Sequence, residues 1–429
     1  MEKTIIAVVG LGYVGLPLAI EFGKRYRVIG YDLNDARVRE LKRGEDHTLE
    51  ADLQGMQEAC RLHETQPEKG LTFTSNAEDM RPANVFIVTV PTPIDKFNSP
   101  DLGPLLKASE TIGGVLKRGD IVIYESTTYP GCTEEDCVPV LEAASGLTFN
   151  DGFFCGYSPE RINPGDKVNT LTKIRKVTSG STPEVAKRID ALYNTILENG
   201  TYLAPSIKVA EAAKAIENSQ RDVNISFMNE LALICDRLGI DTQDVIDAAA
   251  TKWNFLPYRP GLVGGHCIGV DPYYLAHKAK MLGYEPEVIL SGRAVNNSIA
   301  KFIADKTLKL LIEKGFAILH TKVLILGVTF KENCTDTRNT KVVDIANELE
   351  EFGCDVDIYD PWANGAVVQR ELGKTLIPNV EPSTPYKAII ACVAHDQFKT
   401  FDFARYKQQG CVIFDVKGIV PRELADARL

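Results

Sequence analysis

The chain has 429 residues, which allows two or three domains with separate hydrophobic cores, and its composition is that of an ordinary globular protein. A formal net charge of −10 argues against general nucleic-acid binding, and no apolar run approaches the roughly 20 residues that span a bilayer. Strand-like residues follow the initial Met-Glu-Lys-Thr without a signal-peptide pattern, and the ten cysteines lack CxxC spacing. We therefore expect a cytoplasmic protein with reduced cysteines, no metal site, no membrane insertion and no nucleic-acid partner.

The first part of the chain alternates short β-rich runs with helical patterns such as those at 102–116 and 134–144. The runs are apolar, β-branched or aromatic, as in strands that are buried on both faces, and they lie at 5–9, 28–31, 72–74, 85–90, 121–124 and 153–157. This alternation predicts a parallel, doubly wound sheet, and we place it in a domain that covers residues 1–203.

The middle and the end of the chain differ in pattern. Apolar residues recur at helical spacing from 206 to 239, which predicts one long helix, and an irregular loop rich in proline and glycine follows at 255–272. Near residue 320 the alternation resumes, with a predicted helix at 342–352 and strands at 322–326, 356–359, 388–393 and 412–416. We therefore predict an α/β fold in which two Rossmann-like domains, 1–203 and 306–429, are joined by a helical domain at 204–305. Its long helix is a candidate homodimer interface.

A glycine motif, Gly10-Leu11-Gly12-Tyr13-Val14-Gly15, follows the first strand and opens a helix. In this position the first glycine allows a tight turn, the second lets the backbone approach a pyrophosphate, and the third packs closely against the strand. Asp32 ends the second predicted strand, where a carboxylate accepts the hydroxyls of an adenosine ribose and repels a 2′-phosphate. The motif predicts a site for NAD in preference to NADP.

Two later strand ends are candidates to complete the cofactor groove. Thr89 and Pro91 end one strand, and the segment 125–131, which contains Thr127, ends another. Ligands of open α/β sheets lie beyond the carboxyl ends of the strands. Plain proline-rich turns remain the alternative for both segments.

The most distinctive local feature is the segment Gly264-Gly265-His266-Cys267-Ile268-Gly269-Val270-Asp271. Glycines before a cysteine allow a substrate to approach closely, and a carboxylate four residues later is suited to orienting a water or a base. Most cysteines are small buried residues, but a glycine-rich loop offers a core residue little packing. We therefore take Cys267 as the candidate nucleophile.

Three other polar residues are candidates for the same site. Lys214 and Asn218 are four residues apart on the long helix and share one of its faces, where an amine and an amide can stabilise an oxyanion. Glu160 follows a strand and would lie at the same sheet edge as Thr127. The alternatives are a solvated helix face for the first two residues and a helix cap for Glu160.

Taken together, the motifs resemble the UDP-glucose/GDP-mannose dehydrogenase family nearly end to end and in the family's order. They are GLGYVGLPLA (10–19), VPTP (90–93), EST with PGCT (125–133), SPER (158–161), Lys214 with Asn218, GGHCxxxD (264–271) and LGVTFKENCTDTRNT (326–340). The segments 158–167, 252–275 and 329–340 are most similar to the branch that oxidises UDP-N-acetylglucosamine or UDP-N-acetylgalactosamine to the uronic acid in bacterial Vi-capsule and O-antigen synthesis.

The resemblance implies a four-electron oxidation of a sugar C6 hydroxyl by NAD. Cys267 would attack the C6 aldehyde made by the first hydride transfer, a second NAD would take a hydride from the thiohemiacetal, and water would hydrolyse the thioester. The implied roles are oxyanion stabilisation by Lys214 and Asn218, positioning of water by Asp271 and Thr127, and assistance to hydrolysis by Glu160. The implied substrate contacts are Glu160, Arg161, Lys214, Asn218, Gly264, Phe330, Lys331 and Arg259, the last as a candidate contact across a subunit interface. Arg338 would lie near the cofactor. The other predicted cofactor contacts are Gly10, Gly12, Tyr13, Val14, Gly15, Asp32, Thr89, Pro91 and Thr127.

One departure bears on the substrate. UDP-glucose members of the family carry a further glutamate shortly after the motif that contains Glu160, whereas this chain has Asn163-Pro164-Gly165. The departure favours an N-acetylhexosamine over glucose, and it assigns more of the hydrolytic role to Glu160 and Asp271.

Several alternatives stay open. Within the family these are UDP-glucose or UDP-ManNAc as the substrate. A UDP-sugar epimerase would need NAD but not Cys267, and an NAD-sensing regulator would not need Lys214, Asn218 and Cys267 together. A one-step β-hydroxyacid dehydrogenase shares the lysine and asparagine but lacks the cysteine loop and the third domain.

Overall fold

The computed structural model describes residues 3–48, 51–95, 98–162, 168–265 and 268–429. The chain divides into two compact units, the first made of residues 1–217 and 273–284 and the second of residues 218–272 and 285–429. Among the described residues, no helix is both long and apolar enough to cross a membrane.

Strands form one sheet in each unit, and their bounds are β1 Ile5–Val9, β2 Arg27–Tyr31, β3 Gly70–Thr74, β4 Val85–Val88, β5 Ile121–Tyr124, β6 Phe154–Tyr157, β7 Lys176–Gly180, β8 Thr201–Leu203, β9 Lys322–Leu326, β10 Asp355–Tyr359, β11 Ala388–Ala391, β12 Val412–Asp415 and β13 Ala427–Arg428. The first sheet has the order β3-β2-β1-β4-β5-β6-β7-β8 and is parallel except where β7 runs antiparallel to β6. The second has the order β10-β9-β11-β12-β13 and is parallel. The order of β1 to β6 is that of dinucleotide-binding domains.

The helices connect the strands and fill the middle of the chain. Their bounds are α1 Gly15–Gly23, α2 Asp35–Lys42, α3 Leu53–Thr65, α4 Gly103–Gly113, α5 Val138–Ser145, α6 Pro183–Asn194, α7 Ile207–Leu238, α8 Thr242–Ala250, α9 Asp271–Met281, α10 Glu287–Glu313, α11 Val342–Glu351, α12 Gly365–Leu372 and α13 Phe403–Gln408. The long predicted helix is α7, and the two-unit division falls within it, between residues 217 and 218.

Both faces of each sheet are covered, as the continuous apolar runs of the central strands require. In the second sheet, Val323 and Ile325 of β9 pack with α11 in one core cluster. Leu324 and Leu326 of the same strand point the other way and pack with Phe398 and Tyr406 in a second cluster. This alternation places the loops that follow the strands, and not the strands themselves, in position to bind ligands.

The predicted α/β class is confirmed, with two doubly wound sheets and a helical middle. Three strands were not predicted, β7, β8 and β13, because they are short or rich in polar residues. The helical pattern at 134–144 begins as a π-helical turn, Thr133–Cys137, before α5. The predicted irregular loop is wrong at its end, since α9 starts at Asp271.

Candidate active site

The glycine motif after β1 makes a tight turn onto α1. Gly10 has a positive φ of 96°, which glycine adopts without strain. A Cβ on Gly15 would lie 1.9 Å from the carbonyl oxygen of Gly10, whereas a Cβ on Gly12 would meet nothing within 4 Å. The turn therefore leaves open space beside Gly12 at the N-terminus of α1, where backbone amides can bind phosphate.

Asp32 lies at the carboxyl end of β2 and faces this turn. Its Oδ2 accepts a hydrogen bond of 2.8 Å from the Leu11 amide, and its Oδ1 accepts one of 2.9 Å from the Asn34 amide. A cavity of about 220 Å³ adjoins it, and its lining includes Gly10, Tyr31, Asp32, Pro91 and Lys107. The half-buried carboxylate and the apolar cavity fit the ribose and adenine of NAD.

Three more residues predicted at the cofactor, Thr89, Tyr13 and Val14, lie around or next to the same turn. Thr89, at the end of β4, donates from its buried hydroxyl to the carbonyl oxygens of Val9 and Gly10 at 3.1 and 2.7 Å, and so it holds the turn. Tyr13 lines a second cavity, of about 260 Å³, between α1 and residues 170–172. Val14 immediately precedes α1.

Hydroxyl groups join the loops that follow β4 and β5. Thr92 donates to the carbonyl oxygen of Thr127 at 2.7 Å, and Ser126 donates to that of Val90 at 2.6 Å. The backbone of the half-buried Thr127 is thereby fixed beside the loop that follows β4.

Glu160 follows β6 and is 8% exposed. Its Oε1 accepts hydrogen bonds from the amides of Arg161 and Ile162 at 2.6 and 2.5 Å. Its Oε2 is buried and has no hydrogen-bond partner among the described residues. Arg161, a predicted substrate contact, forms an ion pair of 2.5 Å with Glu217 and donates to the carbonyl oxygen of Arg175.

The polar side chains of α7 face inward. Lys214 and Asn218 are 7% and 5% exposed, so the alternative of a solvated helix face is wrong for both. They belong to a line of buried polar residues at helical spacing, Glu211, Lys214, Asn218, Asp222 and Asn229. Buried polar groups are costly unless they are paired or used, so the line marks this face of α7 as a candidate site.

In the second unit this face meets two other helices. The Asn218 side-chain amide donates to Asp271 Oδ2 at 2.5 Å, and Asp271, at the start of α9, is 2% exposed. One turn further along, Asp222 pairs with Arg293 of α10 at 2.6 Å. The structure thus brings together Asn218 and Asp271, while Cys267 and the adjacent His266 lie outside the described residues.

The glycines before Cys267 are anchored to the segment that contains Phe330. The Gly265 amide donates to the carbonyl oxygen of Arg338 at 3.2 Å. A Cβ on Gly265 would lie 2.8 Å from the Phe330 ring, and one on Gly264 would lie 2.7 Å from the carbonyl oxygen of Asn339. The segment with Gly264 thus packs against the segment that contains Phe330 and Arg338, and all three residues were predicted to bind substrate or cofactor.

Three predicted cations of the second unit, Lys331, Arg338 and Arg259, have partners within that unit. Lys331 lies 5.9 Å from the centre of the Phe330 ring. Arg338 pairs with Asp336 at 2.5 Å, and the exposed Arg259 pairs with Asp247 at 2.8 Å.

Sequence reasoning missed a buried carboxylate, Glu211, three residues before Lys214. Its carboxylate accepts hydrogen bonds from the amides of Gly131 and Thr133 at 2.5 and 2.9 Å. Burial raises the pKa of Glu211 to about 7, although these hydrogen bonds oppose the change. Glu211 thereby holds the loop after Thr127 onto α7.

The other missed residues are a buried ion pair, Glu125 with Lys176, and a pair in the second unit, Asp360 with His395. Two signals were available. Glu125 belongs to the EST motif, and Asp360 ends the second strand of its sheet as Asp32 does.

Comparison with known proteins matches three parts of the chain to one family. The chain matches the NAD binding domain of the UDP-glucose/GDP-mannose dehydrogenase family at residues 4–197, its central domain at 208–298 and its UDP binding domain at 324–422. The UDP-N-acetyl-D-glucosamine 6-dehydrogenase of Pseudomonas aeruginosa is 54% identical over all of both chains, and that of Salmonella typhi is 53% identical over all of this chain and 99% of its own.

Solved structures of two similar enzymes share the fold. A UDP-D-ManNAc dehydrogenase from Pyrococcus horikoshii is 29% identical with a TM-score of 0.89, covering 99% of this chain and 98% of its own. A UDP-glucose dehydrogenase from Pyrobaculum islandicum is 25% identical with a TM-score of 0.85, covering 100% and 97%. The chain therefore belongs to the UDP-glucose/GDP-mannose dehydrogenase family and, as its sequence predicted, is an NAD-dependent oxidoreductase.

Proposed function

We propose that this enzyme oxidises the C6 hydroxyl of a UDP-N-acetylhexosamine, UDP-GlcNAc or UDP-GalNAc, to the uronic acid, for bacterial surface polysaccharide synthesis. The substrate assignment is supported by the two relatives above, which are named for UDP-N-acetyl-D-glucosamine and match over full length. The Asn163-Pro164-Gly165 departure from UDP-glucose members points the same way.

The single structural observation that carries the chemistry is the buried hydrogen bond between Asn218 and Asp271, the last residue of the cysteine segment 264–271. An amide buried against a carboxylate is held in one orientation, and preorganised donors are what stabilises developing negative charge. Lys214, one turn earlier on α7, would add a positive charge to the same oxyanion.

The cofactor is assigned to the first unit. The amides at the start of α1 and the open side of Gly12 would bind its pyrophosphate, and Asp32 would accept its ribose hydroxyls. NAD, when bound, supplies the hydride acceptor. Tyr13, Val14, Thr89, Pro91 and Thr127 would line its groove, and Arg338 would lie near it.

The substrate is assigned in two parts. Phe330 and Lys331 would hold the UDP-sugar, and Gly264, Arg161 and Arg259 would contact it, Arg259 as a candidate contact across a subunit interface. At C6, the Cys267 sulfur would attack the aldehyde carbon left by the first hydride transfer. The second hydride transfer would leave a thioester, which water hydrolyses with help from Glu160, Thr127 and Asp271.

The test of the reaction is its stoichiometry across a panel of UDP-glucose, UDP-GlcNAc, UDP-GalNAc, UDP-ManNAc and GDP-mannose. We expect two NADH per sugar, a carboxylate product and the highest kcat/KM with a UDP-N-acetylhexosamine. One NADH and a free aldehyde would refute the four-electron reaction, and a preference for UDP-glucose or UDP-ManNAc would refute the substrate assignment. For Cys267→Ser we expect loss of steady turnover with retained NAD binding.

We also propose a homodimer that forms through α7. The outward face of this helix carries large apolar residues that are about half exposed in the single chain, Val209, Ile216, Phe227, Ile234 and Leu238. An apolar stripe of this length is typical of an interface between subunits. Phe227→Glu should convert the dimer to a monomer in light-scattering measurements, whereas Leu319→Glu, at another exposed apolar position, should not.

Two further parts of the proposal concern organisation and location. We propose that the functional division is 1–203 for NAD, 204–305 for the central helices and 306–429 for the UDP-sugar. We propose a cytoplasmic location, since the described cysteines form no disulfides and a nucleotide-sugar is the proposed substrate.

A further inference from the structure

Four ionisable side chains of the first unit lie together around Lys176. We call them the Lys176 cluster, and its members are Glu125, Glu160, Lys176 and Tyr193. Lys176 Nζ lies 2.6 Å from Glu125 Oε2 and 3.8 Å from Glu160 Oε2, and it donates to the carbonyl oxygen of Pro159 at 3.2 Å. The Tyr193 hydroxyl donates to Glu125 Oε1. Lys176 and Glu125 have no exposed side-chain surface.

Sheet topology explains how these residues meet. Glu125 and Glu160 follow β5 and β6, which are parallel and end at the same edge. Because β7 runs antiparallel to β6, its first residue, Lys176, lies at that edge as well. The antiparallel strand therefore delivers an ammonium group to the carboxyl ends of the parallel strands.

The cluster is poorly explained as a stabilising feature. Burying an ion pair costs about as much desolvation energy as the attraction returns, so an apolar pair of similar size serves stability equally well. The two oxygens of Glu160 also differ. Oε1 accepts two amides, whereas Oε2 is buried, lacks a hydrogen bond among the described residues and has Lys176 Nζ at 3.8 Å.

Resting on the role proposed for Glu160, we propose that Lys176 is a positioning residue for thioester hydrolysis. Its ammonium places a positive charge 3.8 Å from Oε2 of Glu160 without occupying this oxygen by a hydrogen bond, and Glu125 is the closer partner of the ammonium, at 2.6 Å. In the hydrolytic step the water oxygen bonds to the thioester carbon and one water proton passes to Glu160 Oε2. The C–S bond then breaks, and the Cys267 sulfur leaves as a thiolate.

Lys176 and Glu125 have opposite electrostatic effects on Glu160. A cation near a buried carboxylate favours its ionised form, and a second carboxylate disfavours it. Although burial acts to lower the pKa of Lys176, the charges of Glu125 and Glu160 raise it, so the amine stays protonated. Among the residues that the structure describes, Arg161 also acts on Lys176 by its charge and pairs with Glu217, and neither Arg161 nor Tyr193 is altered in the test.

The experiment measures hydrolysis of the acyl-enzyme by rapid quench and intact-protein mass spectrometry, with UDP-GlcNAc and NAD, as a function of pH. Glu125→Gln/Lys176→Met removes both buried charges and leaves neither unpaired. For this double variant we expect the acidic limb of the pH–rate profile of hydrolysis to move up by about one pH unit, so that hydrolysis at lower pH is about tenfold slower. The acyl-enzyme should then accumulate, and the KM values should be unchanged. Glu125→Gln alone should move the limb down, because it leaves Lys176 with Glu160 as its carboxylate.

Opposite shifts separate an electrostatic role from a structural one, since damage to the fold would slow both variants at every pH. Unshifted limbs, or shifts in the same direction, would overturn the inference. If the double variant does not fold, the isosteric Glu125→Gln decides alone, because an unchanged or raised limb contradicts the proposal. Glu160→Gln tests the underlying role. If Glu160→Gln hydrolyses the acyl-enzyme slowly but the limbs of the Glu125 and Lys176 variants do not shift, only the role of Lys176 is refuted. If Glu160→Gln hydrolyses it at the normal rate, Glu160 has no part in the proposed function.

Discussion

The two sheets end their second strands in the same way. In the first unit, Gly10 turns with a φ of 96° after β1, and Asp32 at the end of β2 accepts the Leu11 amide. In the second unit, Gly327 turns with a φ of 92° after β9, and Asp360 after β10 accepts the Val328 amide at 2.7 Å. Each aspartate therefore fixes the loop that follows the first strand of its sheet.

The two aspartates differ in how many donors they receive. Asp360 is 7% exposed and accepts from four backbone amides, those of Val328, Thr329, Trp362 and Ala363, and from His395 Nε2 at 3.1 Å. A carboxylate has about four lone-pair positions, so Asp360 has none left for a ligand. Asp32 accepts from the amides of Leu11 and Asn34, and it retains capacity for two ribose hydroxyls. The strand-end aspartate of the first unit therefore has free acceptor positions, as its proposed role in binding NAD requires, whereas that of the second unit is a structural group.

The largest expected difference between the two turns comes from their glycines. A Cβ on Gly327 would lie 2.4 Å from Val393 Cβ, whereas one on Gly10 would meet its neighbours at 3.2 Å. We expect Gly327→Ala to lower the free energy of unfolding by about 4 kcal/mol, from strain plus overpacking, and Gly10→Ala to lower it by about 2 kcal/mol. Urea denaturation measures both. Equal losses would show that the positive φ alone matters and that the packing does not.

Asp360→Asn is the second test, because the amide nitrogen would face backbone donors. We expect the free energy of unfolding to fall by about 3 kcal/mol, since buried N–H groups would lose a charged acceptor. Binding of UDP should weaken as well, because the loop with Phe330 and Lys331 follows Val328, while binding of NAD to the first unit should be unchanged. If the variant were as stable as the wild type, the hydrogen bonds of Asp360 would not contribute to the stability of the second unit.

Much of this architecture was predictable because the central strands are apolar on both faces. The bounds of β1, β5 and β9 match the predicted runs, and α7 lies within one residue of the predicted helix at each end. The strand β7 was not predictable in this way, since Lys-Val-Thr-Ser-Gly has the composition of a loop and its pairing with β6 depends on the sheet.

The site was predictable where one short segment contains the whole signal, as in the glycine motif. Helical spacing placed Lys214 and Asn218 on one face, but it could not show that this polar face is buried while Ile216 and Phe227 are exposed. That orientation depends on partners such as Arg293 of α10. Contacts such as Glu125 with Lys176, 51 residues apart, likewise arise only when the sheet forms.

Glu211 extends the comparison to a third carboxylate that holds a loop by its amides. For Asp360, burial acts to raise the pKa, but the hydrogen bonds from His395 and Val328 hold it below its ordinary value. For Glu211, burial prevails and raises the pKa from 4.5 to about 7. The folded state thus binds a proton that the unfolded state releases between pH about 4.5 and about 7, so this contribution stabilises the fold at low pH and is lost as the pH rises to about 7.

We expect that loss to be about 2 to 3 kcal/mol and to be absent in Glu211→Gln, as measured by urea denaturation at intervals from pH 5 to 8. Other buried carboxylates with a raised pKa, such as Asp415, contribute the same slope to both proteins and cancel in the comparison. An identical pH dependence in the variant would mean that Glu211 is ionised throughout this range.

The smallest effect on stability, and the sharpest test of the comparison, is expected for Asp32→Asn. The side-chain oxygen of asparagine can still accept the buried Leu11 amide, and water can replace the lost acceptor at the exposed Asn34 amide, so the free energy of unfolding should change by less than about 1 kcal/mol. The Kd for NAD should rise by about 10- to 30-fold, because charged hydrogen bonds to the ribose hydroxyls would be lost, and discrimination against NADP should fall with the repulsive charge. Isothermal titration measures the Kd values for NAD and NADP, with the Kd for UDP as the control, and urea denaturation measures the stability. If Asp32→Asn instead destabilised the protein as Asp360→Asn is expected to, both strand-end aspartates would be structural, and the ribose of NAD would need another acceptor.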